Sequence, residues 1–340
     1  MTANSVREEI RRDLMTAAVS VDVSHLVPFP GSFTLNGWLR VSSVRPPVSP
    51  ILLCCLAGGK CSTGYFDLRI EGYSDYSMAD YLAARGFVIV AFDHLGVGAS
   101  SPVDDIFLLT PRLLGAVNDY AHRSVVQGLV SGTLVPGVGP MPDLLPIGVG
   151  HSMGGMLLGV QQARHATFAA VAILGHGVGL PTVLTEAELS QARNGTLTEE
   201  AVVALARTRF AVPQAPVPSR PPPGSFLPAD LPEPVRAAFM AQQTELLFSC
   251  GLTSMLPGST DREKAAITAP IFLGFGEDDL TQDFVGCVSL YTSAKDISLF
   301  VLPGAAHCHN QSTLRAVMWD RLAHWARGYA HDSADSGVVS

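Results

Sequence analysis

Six short runs stand out along the chain because apolar residues follow one another without polar alternation. They are ILLCCLA (51–57), FVIVAFD (87–93), LLPIGVG (144–150), FAAVAILG (168–175), IFLGFG (271–276) and ISLFVL (297–302). A strand that is apolar on both faces must be covered on both sides, which is the situation of a parallel sheet beneath helices. Helical patterns fall between the runs, as a doubly wound sheet requires. One helix is expected to start at Ser77, with Asp80 as capping partner, and to end at Gly86. A longer one lies within 111–130, and another follows Ser152 directly. The last places Leu314, Met318, Leu322 and Trp325 on one face. Ahead of the sheet, SVDVSHLVPF and SFTLNGWLRVSS predict an antiparallel pair around a Pro-Gly turn.

Between His176 and Ala269 the rhythm changes. TLTEEAVVALARTRF predicts a helix opened by a capping box of Thr196 and Glu199. PQAPVPSRPPPGSFLPADLPEPV is too rich in proline for anything but extended loop. PVRAAFMAQQTELLFSC predicts one further helix with proline at its start. The expected organisation is a core formed by residues 1–175 and 263–340, with residues 176–262 inserted as a helical cap or lid. The chain shows no internal repeat, and the tail after Tyr329 is polar and expected to fray.

Composition narrows the classes. With 340 residues, 47% of them hydrophobic, the chain can bury one large core and carry an insertion. The net charge is −8 and no Lys/Arg cluster occurs, so a nucleic-acid footprint is missing. The six cysteines form no C-x-x-C pair, which removes zinc knuckles and thioredoxin-like sites. Cys54 and Cys55 sit within an apolar run, where cysteine behaves as a small buried hydrophobe. The first twenty residues carry charges throughout and lack the apolar core of a signal peptide, so a cytoplasmic location is expected. FAAVAILGHGVGLPTVL is broken by His176, three glycines and Pro181 and falls short of the roughly 20 residues that span a bilayer.

Four motifs bear on chemistry. GHSMGG (150–155) surrounds one serine with glycines directly after a strand, as a Gly-x-Ser-x-Gly turn does when it holds a serine exposed on a sharp bend. IFLGFGEDDL ends a strand in carboxylates, with Asp279 three positions after Gly276. ISLFVLPGAAHCHN ends a later strand, and His307 falls in the loop after it. The chain order is thus serine, acid, histidine, and all three lie beyond the carboxyl ends of strands, where open α/β sheets build their sites. With the D-x-x-G-x-G-x-S loop FDHLGVGAS (92–100), these motifs make residues 51–325 resemble the α/β-hydrolase superfamily, in its serine esterase/lipase-like branch. The resemblance implies a mostly parallel sheet of about eight strands flanked by helices, with an inserted helical cap.

Residue types then assign roles. A serine hydroxyl needs a base within hydrogen-bond reach, so His307 would take the Ser152 proton and return it to the leaving group. An acid would fix the imidazole tautomer. The family spacing G-x-x-D favours Asp279, with Asp278 or Glu277 as fallback. One oxyanion donor would be the Met153 N–H. The second is expected in AGGKCSTG (57–64), at Gly59 or else Lys60, although this chain has Ala57-Gly58 where many relatives have His-Gly. His176 and Lys60 are candidates for lining the substrate pocket, His151 for packing, and Asp93 and Ser100 for bracing their own loop.

Other readings fall away. A phosphate loop at AGGKCST needs glycine at 54 and a hydroxyl at 61, and the chain has Cys54 and Cys61. No G-x-G-x-x-G follows a strand, so no dinucleotide is expected. His307 and His309 lack a third metal ligand at suitable spacing, so no metal is expected and His309 should face solvent. Serine at the elbow argues against epoxide and halide chemistry, for which relatives carry aspartate. The sequence therefore predicts a cofactor-free serine hydrolase that cleaves an ester of a small or medium, apolar substrate through an acyl-enzyme, a small-molecule enzyme without nucleic-acid or membrane partners, and leaves its oligomeric state open. Carbon–carbon hydrolysis next to a ketone, lactone hydrolysis and a non-catalytic ligand-binding role are the alternatives.

Overall fold

The computed structural model describes residues 13–42, 49–179, 185–194, 197–210 and 226–335. Eight strands form one sheet: β1 (Leu14–Asp22), β2 (Thr34–Ser42), β3 (Ile51–Leu56), β4 (Val88–Phe92), β5 (Leu145–His151), β6 (Ala170–Leu174), β7 (Ile271–Asp278) and β8 (Ile297–Ala306). Their order is β1-β2-β4-β3-β5-β6-β7-β8. All six apolar runs are strands, and β4, β3, β5, β6, β7 and β8 pair in parallel. The antiparallel β1–β2 pair joins through β2 to β4, also antiparallel, with Gly31 at φ 135° in the turn region.

The unbroken apolar runs follow from burial on both faces. Leu52, Cys54 and Leu56 of β3 pack into one core with Leu114, Val117, Met156 and Leu157. Ile51, Leu53 and Cys55, alternating with them, pack into the opposite core with Leu82, Met318, Trp319 and Leu322. The helices that supply these layers are α1 (Met78–Ala83), α2 (Pro111–Ser131), α3 (Met153–His165) and, after the insertion, α10 (Arg315–Asp335). Ser77 caps α1 by accepting from the Asp80 N–H, while the Asp80 carboxylate turns away to Arg69 and Arg40. α10 continues to Asp335, six residues past the point where fraying is expected. Met318, Leu322 and Trp325 are buried as the spacing predicts, but Leu314 precedes the helix and is exposed.

Between β6 and β7 the chain adds α4 (Glu186–Arg193), α5 (Glu199–Phe210), α6 (Glu233–Ala241), α7 (Phe248–Met255) and α8 (Asp261–Ala266). A further short helix, α9 (Phe284–Ser289), follows β7. α4 escapes the sequence reading, although Thr185 and Glu188 form a full capping box. Thr196 lies outside the described residues; Thr198 receives the Ala201 N–H at the head of α5. Most of the proline-rich stretch also lies outside them, as do residues 1–12. The single helix expected over 234–250 is two helices, α6 and α7, separated by an extended link. The break has a tertiary cause: Gln243 pairs as a β-bridge with Cys61, and the Thr244 N–H donates to the Lys60 carbonyl at 2.9 Å. Val202, Ala206, Leu252 and Leu256 form a small apolar cluster of the insertion's own, and Leu247 and Cys250 are buried in the main core.

Candidate active site

The sheet changes direction of winding between β3 and β5, which flank one another. At such a switch point the loops after the two strands separate and open a crevice. β5 ends at His151, α3 begins at Met153, and Ser152 alone makes the turn, with φ 54° and ψ −121°. A non-glycine residue there is strained, and the strain is held by the surroundings. The Ser152 N–H donates to the Leu174 carbonyl at 2.7 Å, fixing the turn to the end of β6. The flanking glycines are required by close approach: a β-carbon on Gly154 would collide with the carbonyl oxygens of Leu56 and Ala57, and one on Gly150 would lie 2.5 Å from the Gly154 oxygen.

β7 and β8 run parallel until a bulge between Gly276 and Asp278, after which Asp278 pairs with Ala306. Such a bulge re-aims the residues beyond it, and the next residues on the two strands are Asp279 and His307. His307 Nδ1 donates to Asp279 Oδ1 at 2.6 Å, and Ser152 Oγ donates to His307 Nε2 at 2.8 Å. A carboxylate only accepts, so the proton belongs on Nδ1 and Nε2 is left free to take one. Asp279 and His307 are 3% and 2% exposed, so water does not compete for either bond. Glu277 instead accepts from the Gly304 N–H, and Asp278 is exposed. Of the three carboxylates in GEDD, only Asp279 reaches the histidine.

Asp279 accepts four hydrogen bonds. Oδ1 also takes the Leu280 N–H at 2.7 Å, and Oδ2 takes the Gly276 N–H at 3.2 Å and His309 Nε2 at 2.9 Å. Burial by itself would push this carboxyl up, but His307 and His309 override it and hold it well below the usual carboxylate range. His309 is thus buried against the acid, not solvent-facing as H-x-H alone suggested. His151 is buried too: Nε2 donates to the His307 carbonyl at 2.8 Å and the ring stacks on Tyr65 at 4.3 Å. Burial first, then His307 and His309, drive the His151 pKa well below the ordinary value, so it stays neutral.

The loop after β3 passes over the same point. A β-carbon on Gly58 would touch the Ser152 Cβ at 3.2 Å, and one on Gly59 would lie 3.8 Å from the Met153 Cβ. Met153 heads α3, where first-turn N–H groups have no partner within the helix. Lys60 takes φ 63°, and its side chain is exposed. Asp93 accepts from the Thr63 N–H at 2.6 Å as well as from Ala99 at 2.7 Å, and His94 Nε2 donates to the Ala57 carbonyl at 2.9 Å. Asp93 therefore braces this loop in addition to its own, where Ser100 Oγ donates to the Asp93 carbonyl.

A cavity of about 50 Å³ is lined by Ser152, His176, Met255, Leu280, Thr281 and His307 among others. His176 lies on it, buried, and burial together with the Lys264 ammonium and His307 keeps its imidazole neutral, well below the ordinary value. Lys60 is not part of that lining. A larger cavity of about 370 Å³ opens between α2, α5 and α8 and touches none of the three triad-like side chains. No cluster of three His, Cys, Asp or Glu among the described residues could hold a metal ion. No helix among them is long and apolar enough to cross a membrane.

A family model described as the alpha/beta hydrolase family matches residues 58–321, and the chain belongs to that family. No curated protein matches in sequence. Among solved structures, a soluble variant of monoglyceride lipase from Saccharomyces cerevisiae aligns at 14% identity, covering 89% of this chain and 93% of that one, with a TM-score of 0.61. Proline iminopeptidase from Mycobacterium smegmatis aligns at 16% identity over 92% and 99%, TM-score 0.55. The enol-lactonase from Burkholderia xenovorans LB400 aligns at 14% over 87% and 97%, TM-score 0.54. Identities this low carry the fold, and the fold serves ester, peptide and lactone bonds alike in these three.

Proposed function

We propose that this member of the alpha/beta hydrolase family is a serine hydrolase that cleaves a small carboxylic ester through an acyl-enzyme. The observation that carries the reading is the unbroken chain of two hydrogen bonds from Ser152 through His307 to Asp279, at 2.8 and 2.6 Å. In the first half-reaction Ser152 Oγ attacks the ester carbonyl as His307 Nε2 takes its proton. The N–H groups of Met153 and Gly59 receive the oxyanion, each worth about 3 to 4 kcal/mol of barrier. His307 then protonates the departing alcohol. In the second half-reaction a water loses its proton to His307 and attacks the acyl carbon, releasing acid and restoring Ser152. Asp279 stays ionised throughout and balances the imidazolium.

The cavity of about 50 Å³ beside Ser152 favours a short acyl group over a long chain. The helices between β6 and β7 act as the cap, with the Gln242–Leu247 link strapped to the loop after β3. The substrate is a small molecule, and all six cysteines being free fits a reducing, cytoplasmic setting. The test is steady-state hydrolysis of p-nitrophenyl esters of increasing acyl length by the wild type and by Ser152→Ala. Acetate and propionate esters should be preferred, and the variant should retain no turnover above background. Turnover by Ser152→Ala at the wild-type rate would refute the assignment.

A further inference from the structure

We infer that His309 is a positioning residue that clamps the second oxygen of Asp279 and so aims the triad. This rests on the triad reading above. A carboxylate can rotate about its Cβ–Cγ bond, and only one orientation directs a lone pair at His307 Nδ1. Three of the four acceptor positions are filled by His307 and by the backbone N–H groups of Leu280 and Gly276. The Gly276 bond, at 3.2 Å, is the longest of the four and shares Oδ2 with His309. His309 Nε2 donates to Oδ2 at 2.9 Å from a ring that is 1% exposed, next to a carboxylate that is 3% exposed. Without His309, Oδ2 would face a dry space with only the long Gly276 bond on it, and one half of the carboxylate would be left weakly held.

The arrangement also fixes the chemistry of His309. Its partner only accepts, so Nε2 carries a proton, while Nδ1 is buried without a partner among the described residues. His309 therefore acts as a donor through Nε2 and takes up part of the Asp279 charge. Around this pair stand His307, His151, Tyr65 and Cys308, the ionisable groups that face it from β8, β5 and the loop after β3. His151 is held neutral by burial and by its histidine neighbours, and burial raises Tyr65 and Cys308 well above their ordinary values. Asp279 is thus the anion of the cluster, and its charge is divided between two histidines.

The test compares His309→Phe, which fills the space without a donor, with His309→Gln, which keeps an N–H. His309→Phe should lower kcat roughly 10- to 100-fold, the scale of one hydrogen bond to a charged group, with KM changed less than about twofold. His309→Gln should recover most of the loss. The acid limb of kcat/KM should move to higher pH in His309→Phe, because a carboxylate with one donor fewer stabilises the imidazolium more. Wild-type kcat in His309→Phe, or equal losses in both variants with an unmoved acid limb, would overturn the inference. Should His309→Phe fail to fold, nitrogen NMR of histidine-labelled wild type decides: a proton on Nε2 of His309 is expected, and an Nε2 without a proton would overturn it. Covalent labelling of wild-type Ser152 by a fluorophosphonate, run alongside, tells a failed triad from a failed clamp.

Discussion

His151 and His307 are joined through the backbone of one and the ring of the other: His151 Nε2 donates to the His307 carbonyl at 2.8 Å. The residue before the elbow serine therefore holds the loop that delivers the histidine, although 156 positions separate the two in sequence. His151→Phe keeps the stack on Tyr65 and removes the donor. It should destabilise the fold by about 1 to 3 kcal/mol, the cost of a buried carbonyl left unpaired. It should also lower kcat more than it changes KM. Thermal melts and steady-state kinetics on one ester read both effects.

The elbow tolerates no side chain at its glycines. Gly154→Ala and Gly150→Ala both force a β-carbon against backbone that cannot retreat. Each should cost more than about 4 kcal/mol, beyond what overpacking a flexible core usually costs. Gly72→Ala is a control for the backbone term alone, since its φ is +79° but nothing lies within 4 Å of the added carbon. Denaturant titrations of the three variants should separate the first two from the third by several kcal/mol.

Acid should unfold the protein over a definite window. His94, His122, His151 and His176 are buried, and burial lowers the pKa of each, to about 4 for His122. Below the ordinary value of 6.5 the unfolded chain binds protons that the folded chain refuses, so stability falls as pH drops from 6.5 towards the folded values. The slope is about 1.4 kcal/mol per pH unit for each such histidine. Asp279, depressed instead of raised, adds its own loss only below pH about 4. His122→Phe should flatten the fall between pH 6.5 and 4, as read from urea melts across that range.

The strap between the insertion and the loop after β3 predicts a catalytic effect of a distant residue. Thr244→Pro removes the N–H that holds the Lys60 carbonyl. The loop carrying Gly59 should then loosen, with kcat falling about tenfold or more, a fraction of what a lost oxyanion donor costs. Near-wild-type melting with reduced kcat is the expected outcome. Unchanged kcat would mean that the strap does not set the loop.

What the sequence reveals follows from the range of the forces involved. The strands are legible because both faces of β3 to β7 are buried, leaving runs of apolar residues that no surface strand would keep. Ser152, Asp279 and His307 are legible because strand ends and glycine spacing are local signals. His309 is not, because nothing in C-H-N tells that the ring turns inward to a carboxylate 30 positions away. The break between α6 and α7 is hidden for the same reason: residues 242–247 favour helix locally, and pairing with Cys61 overrides them. α4 is the exception: its Thr185–Glu188 capping box is present in the sequence, but the glycine- and proline-broken stretch before it masks the signal.

In the proposed mechanism the Ser152 oxygen carries the acyl group during turnover. Rapid-quench of wild-type enzyme with p-nitrophenyl acetate, followed by intact and peptide mass spectrometry, measures it directly. The account predicts a burst of nitrophenol and an added acetyl mass on the peptide containing Ser152, both absent in Ser152→Ala. Turnover with no acetyl on that peptide, or with acetyl on another residue, would contradict it.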